Sequence, residues 1–564
     1  MANLYYKGAV VSREQWEGLY ERHWAWVMQE FPESATRAGV ADASHDRWTD
    51  WSPEAVHRRK DHRSDLLEKA RLLTRDDLDS TDRLNAELFV YDAATAAEAE
   101  SLPLDLLQIS PLGGVHQSAA NLIAMMPTAT ASQRQVILAR LAALPAHVDQ
   151  HVELLREGMA RGVTQPKVVM RDIPEHVANV AVTGDASPFV QPHLQADPGF
   201  VEALRELVVR QVAPAFERLH GFLVDTYLPG AREDIACCSL PDGEAIYDHL
   251  IRARTTTSMS AAEIHELGQS EVKRIRLAMD EVIASAGFTG SFNEWTEFLR
   301  TDPQFFHTDA ESLLREYRDI SKRADPELAR MFGTLPRLPY GVAQVPAYAE
   351  RSQTTAYYMR GAPSAGRPAW FYANTYDLAS RPRWEMEALT LHEAVPGHHL
   401  QIALAQEMEG VPEFRKWPAY TAYVEGWGLY AESLGEEMGF YADPYSKFGQ
   451  LTYEMWRAVR LVVDTGMHAL GWTRDQAIVF FEEHTAKARH DIVVEIDRYI
   501  AWPAQALAYK IGELKLKALR AHATEVLGEA FDIRTFHDAV LLSGALPLDL
   551  LDAHVRSWVA AQPT

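Results

Sequence analysis

The chain has 564 residues, 47% of them hydrophobic and 24% charged, which is enough for three or four average domains or one large helical enzyme. Its 55 lysines and arginines against 79 aspartates and glutamates give a formal net charge of -24. Because no basic run interleaved with aromatic residues is present, this balance argues against nucleic acid or an anionic membrane as a partner.

The N-terminal sequence and the cysteines predict a cytoplasmic protein. The first residues contain no apolar core followed by a small-residue cleavage site, and no apolar run reaches the length of about 18 residues that a membrane span needs. The two cysteines, Cys237 and Cys238, are adjacent and therefore form no disulfide framework. We expect a reducing compartment, with neither secretion nor membrane spanning.

The first part of the chain is predicted to be helical and shows no chemical motif. Apolar residues recur there at three- and four-residue spacing, for example along 137–155. A predicted loop with proline and glycine at Tyr227–Gly230 suggests a boundary. We therefore expect an N-terminal helical region, 1–227, and a catalytic helical region, 228–564, or one continuous two-lobed fold.

Between about residues 339 and 378 the pattern changes to short β-strands. The segments Tyr340–Val345, Ala356–Met359 and Trp370–Ala373 are rich in aromatic and small apolar residues and are separated by proline and glycine. We predict a small antiparallel sheet, which either offers an edge to an extended peptide or only covers the core. Tyr357 is the candidate substrate contact on this sheet.

The most informative segment is His392–Gln401, with the sequence HEAVPGHHLQ. Zinc peptidases commonly carry H-E-x-x-H, whose spacing puts both imidazoles on one face of a helix with the glutamate beside them. Here the second imidazole follows six or seven residues after the first, so neither His398 nor His399 can share a metal with His392 on a regular helix.

Pro396 offers a physical cause for this spacing. A proline inside a helix donates no hydrogen bond and crowds the carbonyl four residues back, which here belongs to His392. Gly397 then permits backbone angles that other residues avoid. We therefore predict a helix that breaks between His392 and His398, with helical flanks, and interpret the segment as an expanded H-E-x-x-H.

Glu425 is the candidate third ligand. It is followed by Gly426 and Gly428, which would let a neighbouring helix approach closely enough for the carboxylate to reach a metal. Glu432, seven residues later, is either a reserve ligand or a hydrogen-bond acceptor for a ligand. Two histidines and a carboxylate leave a tetrahedral zinc ion with an open position for water, so we expect one Zn²⁺.

The remaining catalytic roles follow from this chemistry. Glu393 would act as the general base that takes a proton from the metal-bound water and delivers it to the leaving amine. Tyr509 is the candidate donor to the oxyanion, and His399 either donates there too or replaces His398 as ligand. Residues available to hold a substrate carboxylate are Arg498, Tyr499, Gln505 and Lys510.

Polar residues also recur along one later predicted helix. Arg457, Arg460, Asp464 and His468 follow at three- and four-residue steps, which places them on one face. This spacing is typical of a buried polar network, and we expect these residues to support the site structurally.

Four ordered motifs resemble those of the bacterial domain-of-unknown-function family 885. They are His392–Gln401, Glu425–Tyr430, Arg460–His468 and Arg498–Gly512. The resemblance implies a mainly α fold similar to the carboxypeptidase Taq family of zinc peptidases, with a deep cleft like that of neurolysin. It also makes the Glu425 segment similar to the one in which zinc aminopeptidases carry their third ligand.

The sequence therefore predicts a zinc-dependent peptidase that acts on short peptides or peptide-like substrates. A clamp for a terminal carboxylate would make it a carboxypeptidase, and a cleft without a clamp an oligopeptidase. One alternative is a non-catalytic metal- or peptide-binding protein on a peptidase scaffold. Another is a metal-dependent hydrolase of a non-peptide amide or ester.

Overall fold

The structure, a computed structural model, describes residues 2–40, 43–346, 350, 354–362, 367–417 and 420–563. Helices account for most of these residues, and three short strands form a small sheet, so the prediction of a mainly helical protein is confirmed. Within these ranges no helix combines the length and the apolar character needed to cross a membrane.

The chain divides into two compact units. Unit 1 comprises Met1–His249 with the short segments Pro412–Phe414 and Ile500–Trp502, and unit 2 comprises the rest of the chain. The division falls within α12, Gly243–Thr255. The stretch Tyr227–Gly230, predicted to be a loop, is helical, because a π-helical turn at Leu223–Tyr227 continues into the short helix α11, Leu228–Gly230.

Unit 1 is built from helices with long apolar faces. A buried cluster that includes Trp16, Leu66 and Phe89 joins the first, third and fourth of them. In order they are α1 Ala2–Glu30, α2 Pro32–Ala38, α3 Pro53–Leu72, α4 Ser80–Ser101, α5 Val115–Met125, α6 Ala131–Ala160, α7 Lys167–Met170, α8 Ile173–Val180, α9 Pro198–Leu207, α10 Ala213–Phe222 and α11 Leu228–Gly230.

Unit 2 carries the sheet and the motifs. Several of its helices begin with the side-chain caps that their sequences predict, such as the Ser260–Glu263 capping box. They are α13 Ala261–Ser285, α14 Phe292–Thr301, α15 Ala310–Met331, α16 Met386–Glu393, α17 His398–Gln406, α18 Thr421–Leu434, α19 Pro444–Ala469, α20 Arg474–His484, α21 Arg489–Ala501, α22 Ala508–Leu527, α23 Ile533–Leu541 and α24 Leu548–Ala560.

The sheet is mixed, so the prediction of an antiparallel sheet is wrong for one of its two strand pairs. Strands β1 (Tyr340–Gln344), β2 (Ala356–Met359) and β3 (Ala369–Ala373) lie in the order β1-β3-β2. β3 pairs with β1 in parallel and with β2 antiparallel. The alternate residues of β3 are all buried, as is typical of a central strand with one face packed on the core.

Two close helix contacts set the frame of unit 2. A Cβ atom added to Gly268 of α13 would lie 2.7 Å from Leu461 of α19, so these helices approach closely. A Cβ atom on Gly426 of α18 would lie 2.5 Å from the Cα of Gly512 in α22. Each contact tolerates only glycine at that point. The second brings the segments around Glu425 and the start of α22 side by side.

Candidate metal centre

The helix breaks where the sequence predicts it. α16 ends at Glu393, α17 begins at His398, and the four residues between them are not helical. A Cβ atom on Gly397 would lie 1.9 Å from the carbonyl oxygen of His392, so no larger residue fits there. The indole of Trp427 on α18 donates to the carbonyl of Pro396 at 2.9 Å and ties that helix to the break. No sequence pattern indicated this role of Trp427.

This break brings three of the predicted ligands together. Nε2 of His392 and Nε2 of His398 lie 3.6 and 3.5 Å from Oε2 of Glu425. The ligand atoms of the three residues all lie within 4.8 Å of one another. In a tetrahedral site with bonds of about 2.1 Å, two ligand atoms are roughly 3.4 Å apart. The donor set and its spacing therefore fit a zinc ion.

His392 is oriented from behind by a second carboxylate. Its Nδ1 donates to Oε1 of Glu432 at 2.8 Å, and Glu432 is fully buried on α18. This bond fixes the tautomer and leaves Nε2 free to face Glu425. Arg457 lies 3.5 Å from the same carboxylate oxygen. Of the two roles predicted for Glu432, the structure supports that of the hydrogen-bond acceptor.

Gly428 lets the His392 ring enter this space. A Cβ atom at residue 428 would lie 2.6 Å from Cε1 of the His392 imidazole. The sequence predicts that Gly426 and Gly428 let the helix that holds the metal approach Glu425. Gly428 has that role, since it faces the His392 imidazole, whereas Gly426 faces α22, which carries none of the three ligands.

The electrostatics of the three residues favour a bound cation. Burial alone would lower the pKa of His392, but hydrogen bonding to Glu425 and Glu432 raises it to about 10. Burial would raise the pKa of Glu425, but the imidazoles of His392 and His398 hold it well below its ordinary value. The negative charge of two largely buried carboxylates therefore attracts positive charge to the point where the ligand atoms converge.

Glu393 remains available for chemistry. It directly follows His392 at the end of α16 and is 9% exposed. No hydrogen bond or ion pair joins its carboxylate to another residue in the described part of the chain. A base that accepts a proton from water needs this combination of shelter and a free oxygen.

His399 faces away from the convergence of His392, His398 and Glu425. Its Nδ1 lies 3.2 Å from the hydroxyl of Tyr358, and its ring lies 4.5 Å from the ring of Tyr340. Burial lowers its pKa to about 4. The structure thus groups His398 with the other predicted ligands, while His399 packs against the sheet. An imidazole that contacts Tyr358 and Tyr340 and faces away from the three ligands is not placed to donate to an oxyanion beside them.

A family assignment accompanies this geometry. The sequence model of the family described as "Bacterial protein of unknown function (DUF885)" matches residues 32–555. The chain belongs to this family. The sequence has no significant match among curated proteins.

Two solved structures share the fold. One, from Colwellia psychrerythraea and provisionally described as a lipoprotein, is 27% identical, with a TM-score of 0.92 over 98% of this chain and 100% of that chain. The other, from Shewanella oneidensis and provisionally described as a lipoprotein of unknown function, is 17% identical, with a TM-score of 0.70 over 96% and 99% of the two chains.

The Arg460–His468 motif of the family forms the expected buried network. The Tyr499 hydroxyl accepts hydrogen bonds from Nε of Arg460 at 2.8 Å and from Nε1 of Trp456 at 3.0 Å. Nε2 of His468 donates to the Tyr499 carbonyl at 3.0 Å. Because Tyr499 is fully engaged and 1% exposed, its predicted contact with substrate is not supported. Its role is structural.

Lys510 is likewise unsuited to its predicted role. Its Nζ lies 2.6 Å from Glu513, 2.7 Å from Glu454 and 3.1 Å from Glu271, and the residue is fully buried. Although burial lowers the pKa of Lys510, the three carboxylates raise it above its ordinary value. The ammonium therefore joins α13, α19 and α22 and cannot also hold a substrate carboxylate.

The other candidates in the Arg498–Gly512 motif lie together. Nη2 of Arg498 donates to Oε1 of Gln505 at 2.9 Å, and its side chain is 20% exposed. The guanidinium carbon of Arg460 lies 4.5 Å from the ring centre of Tyr509. Tyr509 is 9% exposed and lies one helical turn before Gly512, whose contact with Gly426 brings α22 to the segment of Glu425.

Tyr357 lies on an edge strand of the sheet. It is opposite Tyr372 in the antiparallel pair, and the two rings stack with centres 5.1 Å apart. Tyr357 is partly exposed. A half-buried aromatic pair between the edge strand β2 and the central strand β3 suits either of the two roles that the sequence left open for this sheet.

Proposed function

We propose that this protein is a zinc-dependent peptidase that hydrolyses short peptides. The observation that carries the proposal is the convergence of His392, His398 and Glu425 at separations that fit zinc. A zinc ion held there supplies Lewis acidity, which polarises a carbonyl and acidifies water. A purely structural zinc site more often has four protein ligands.

The residues around this site have distinct roles in the proposal. Glu393 accepts a proton from water and returns it to the leaving amine, as its free carboxylate beside His392 allows. Tyr509 donates its hydroxyl hydrogen to the oxyanion that forms on the peptide carbonyl. Glu432 holds His392 in the tautomer that presents Nε2.

The likeness to carboxypeptidase Taq-type enzymes belongs to this proposal. The expanded H-E-x-x-H and the Glu425-Gly-Trp segment support a similar fold with a deep cleft. Within that fold, Arg498 and Gln505 are the remaining candidates to hold a terminal carboxylate, and Arg498 would have to exchange part of its pairing with Glu495, now at 3.4 Å, for the substrate. A guanidinium paired with an amide suits a carboxylate, which favours a carboxypeptidase over an oligopeptidase.

A cytoplasmic location remains part of the proposal on the grounds of cysteine usage. The two solved relatives are described as lipoproteins, which favours attachment to a membrane surface instead. Fractionation of cells that express the natural gene distinguishes these locations: recovery in the membrane fraction after a salt wash would contradict the cytoplasmic proposal.

The decisive experiment incubates the zinc-loaded protein with a mixed peptide library and identifies the products by mass spectrometry. Loss of single C-terminal residues is the expected result. Internal cuts would select an oligopeptidase. If no peptide is cut by protein that contains stoichiometric zinc, the peptidase proposal is wrong and the amide or ester alternatives are next.

A further inference from the structure

Unit 1 contains a pair of histidines that neither the motifs nor the proposed function involves. His147 and His151 lie four residues apart on α6, so their side chains share one face of the helix. They are 6% and 4% exposed. Their Nε2 atoms face each other at 3.3 Å.

This separation suits a shared metal ion as well as a long N–H···N hydrogen bond between the rings. Two imidazole nitrogens on one tetrahedral zinc, with bonds of about 2.0–2.1 Å, are roughly 3.3 Å apart. The observed 3.3 Å equals this separation.

The ring geometry repeats that of the candidate centre in unit 2. The rings of His147 and His151 have centres 4.7 Å apart and planes inclined by 84°. The corresponding values for His392 and His398 are 4.6 Å and 82°. The two pairs thus share the same ring separation and inclination.

A carboxylate lies beside His147, and the tautomer of this imidazole is fixed. Nδ1 of His147 donates to the backbone carbonyl of Thr49 at 3.1 Å, which leaves Nε2 with its lone pair. Oε1 of Glu33 lies 4.0 Å from that Nε2. The backbone N–H of Thr49 donates to Glu33 at 3.0 Å, so one residue orients both the imidazole and the carboxylate.

We propose that His147 and His151 bind a divalent transition-metal ion through their Nε2 atoms, with Glu33 as the adjacent carboxylate. Imidazole nitrogen suits Zn²⁺, and the carboxylate offsets part of the charge of a buried divalent cation. The ring of Trp48 stacks on His147 and holds its plane. Such an ion joins two successive turns of α6 and stabilises unit 1.

The test counts zinc ions on the chelator-stripped full-length protein by titration against a chromophoric zinc indicator. Wild-type protein is expected to bind two equivalents. The double variant His392→Gln/Glu425→Gln, which leaves unit 1 untouched, should retain one. Adding His151→Gln to it should remove that remaining equivalent. His193→Gln, a change of another buried histidine whose ring bonds to the Ile123 carbonyl, should leave the count at two.

Each outcome separates the two sites. If the double variant binds no zinc, the proposal is overturned and the pair is a hydrogen-bonded pair of imidazoles. If wild-type protein binds one equivalent that survives in the double variant and is lost with His151→Gln, unit 1 holds the ion and the proposed function loses its metal. A rise in melting temperature on adding zinc to the double variant supports the proposal without requiring a variant of unit 1.

Discussion

At the scale of single residues, the candidate centre depends on a division of labour between neighbouring carboxylates. Glu432 bonds to Nδ1 of His392, Glu425 faces its Nε2, and Glu393 is left without a partner among the described residues. Three glutamates of the same chemistry therefore have three environments. Each role predicts a different consequence when the carboxylate becomes an amide of nearly the same size.

Glu393→Gln should abolish turnover while leaving zinc content unchanged. The amide cannot accept a proton from water, and general-base catalysis contributes about 10²–10⁴-fold, so the rate should fall by at least about 100-fold. Peptide hydrolysis and zinc content by atomic absorption are measured on the same sample. Glu409→Gln, which changes an exposed glutamate in the segment after α17, is the control. Unaffected turnover would remove Glu393 as the base.

Glu432→Gln should weaken zinc binding at the candidate centre. The amide can still accept a bond from Nδ1 of His392, but the loss of charge reduces the basicity of the imidazole and leaves Arg457 without its counter-ion. Partners of this kind are worth about 10–100-fold in metal affinity. Competition with a zinc indicator measures the change. If affinity is unaltered while the melting temperature of the metal-free protein falls, Glu432 is only structural.

At the scale of elements, the break between α16 and α17 could be predicted from neighbouring residues. The order of the strands and the burial of Lys510 could not, because both depend on packing between distant parts of the chain. Pro396 and Gly397 affect the backbone within a few residues of themselves, so their effect can be predicted from the sequence. The order of the strands depends on which strand pairs with a neighbour on both sides, and here that strand is β3. The burial of Lys510 depends on Glu271, which is more than two hundred residues away in sequence.

Gly397→Ala should disrupt both the break and the metal site. The added Cβ atom would lie 1.9 Å from the carbonyl oxygen of His392, so the backbone that carries His392 must move. Forced overpacking of this kind costs about 1–3 kcal/mol or more. Chemical denaturation and zinc titration should both show a loss. Gly113→Ala, where a Cβ atom meets nothing within 4 Å, is the control. Normal zinc binding by Gly397→Ala would contradict the role given to the break.

At the scale of the whole molecule, each unit contains a pair of histidines whose ring nitrogens lie close together. Each unit also buries a histidine that has no ion pair with a carboxylate among the described residues. His116 in unit 1 is 1% exposed, and neither of its ring nitrogens has a partner among the described side chains and backbone. His537 in unit 2 is fully buried between Tyr430 and the carbonyl of Met331. Burial lowers the pKa of both to about 4.

These histidines should make the metal-free protein lose stability in weak acid. Between pH 6.5 and about 4 the unfolded chain binds protons at these positions and the folded chain does not, so unfolding becomes more favourable as pH falls. The free energy of unfolding should fall by up to about 1.4 kcal/mol per pH unit for each group, with full stability above about pH 6.5. Urea unfolding at four pH values between 4.5 and 7.5, with chelator present, measures the slope. His116→Leu removes one titrating group whose nitrogens make no bond, and should make the slope shallower with little loss of stability at pH 7.5. A slope that stays the same in His116→Leu would show that the buried neutral ring is not the cause.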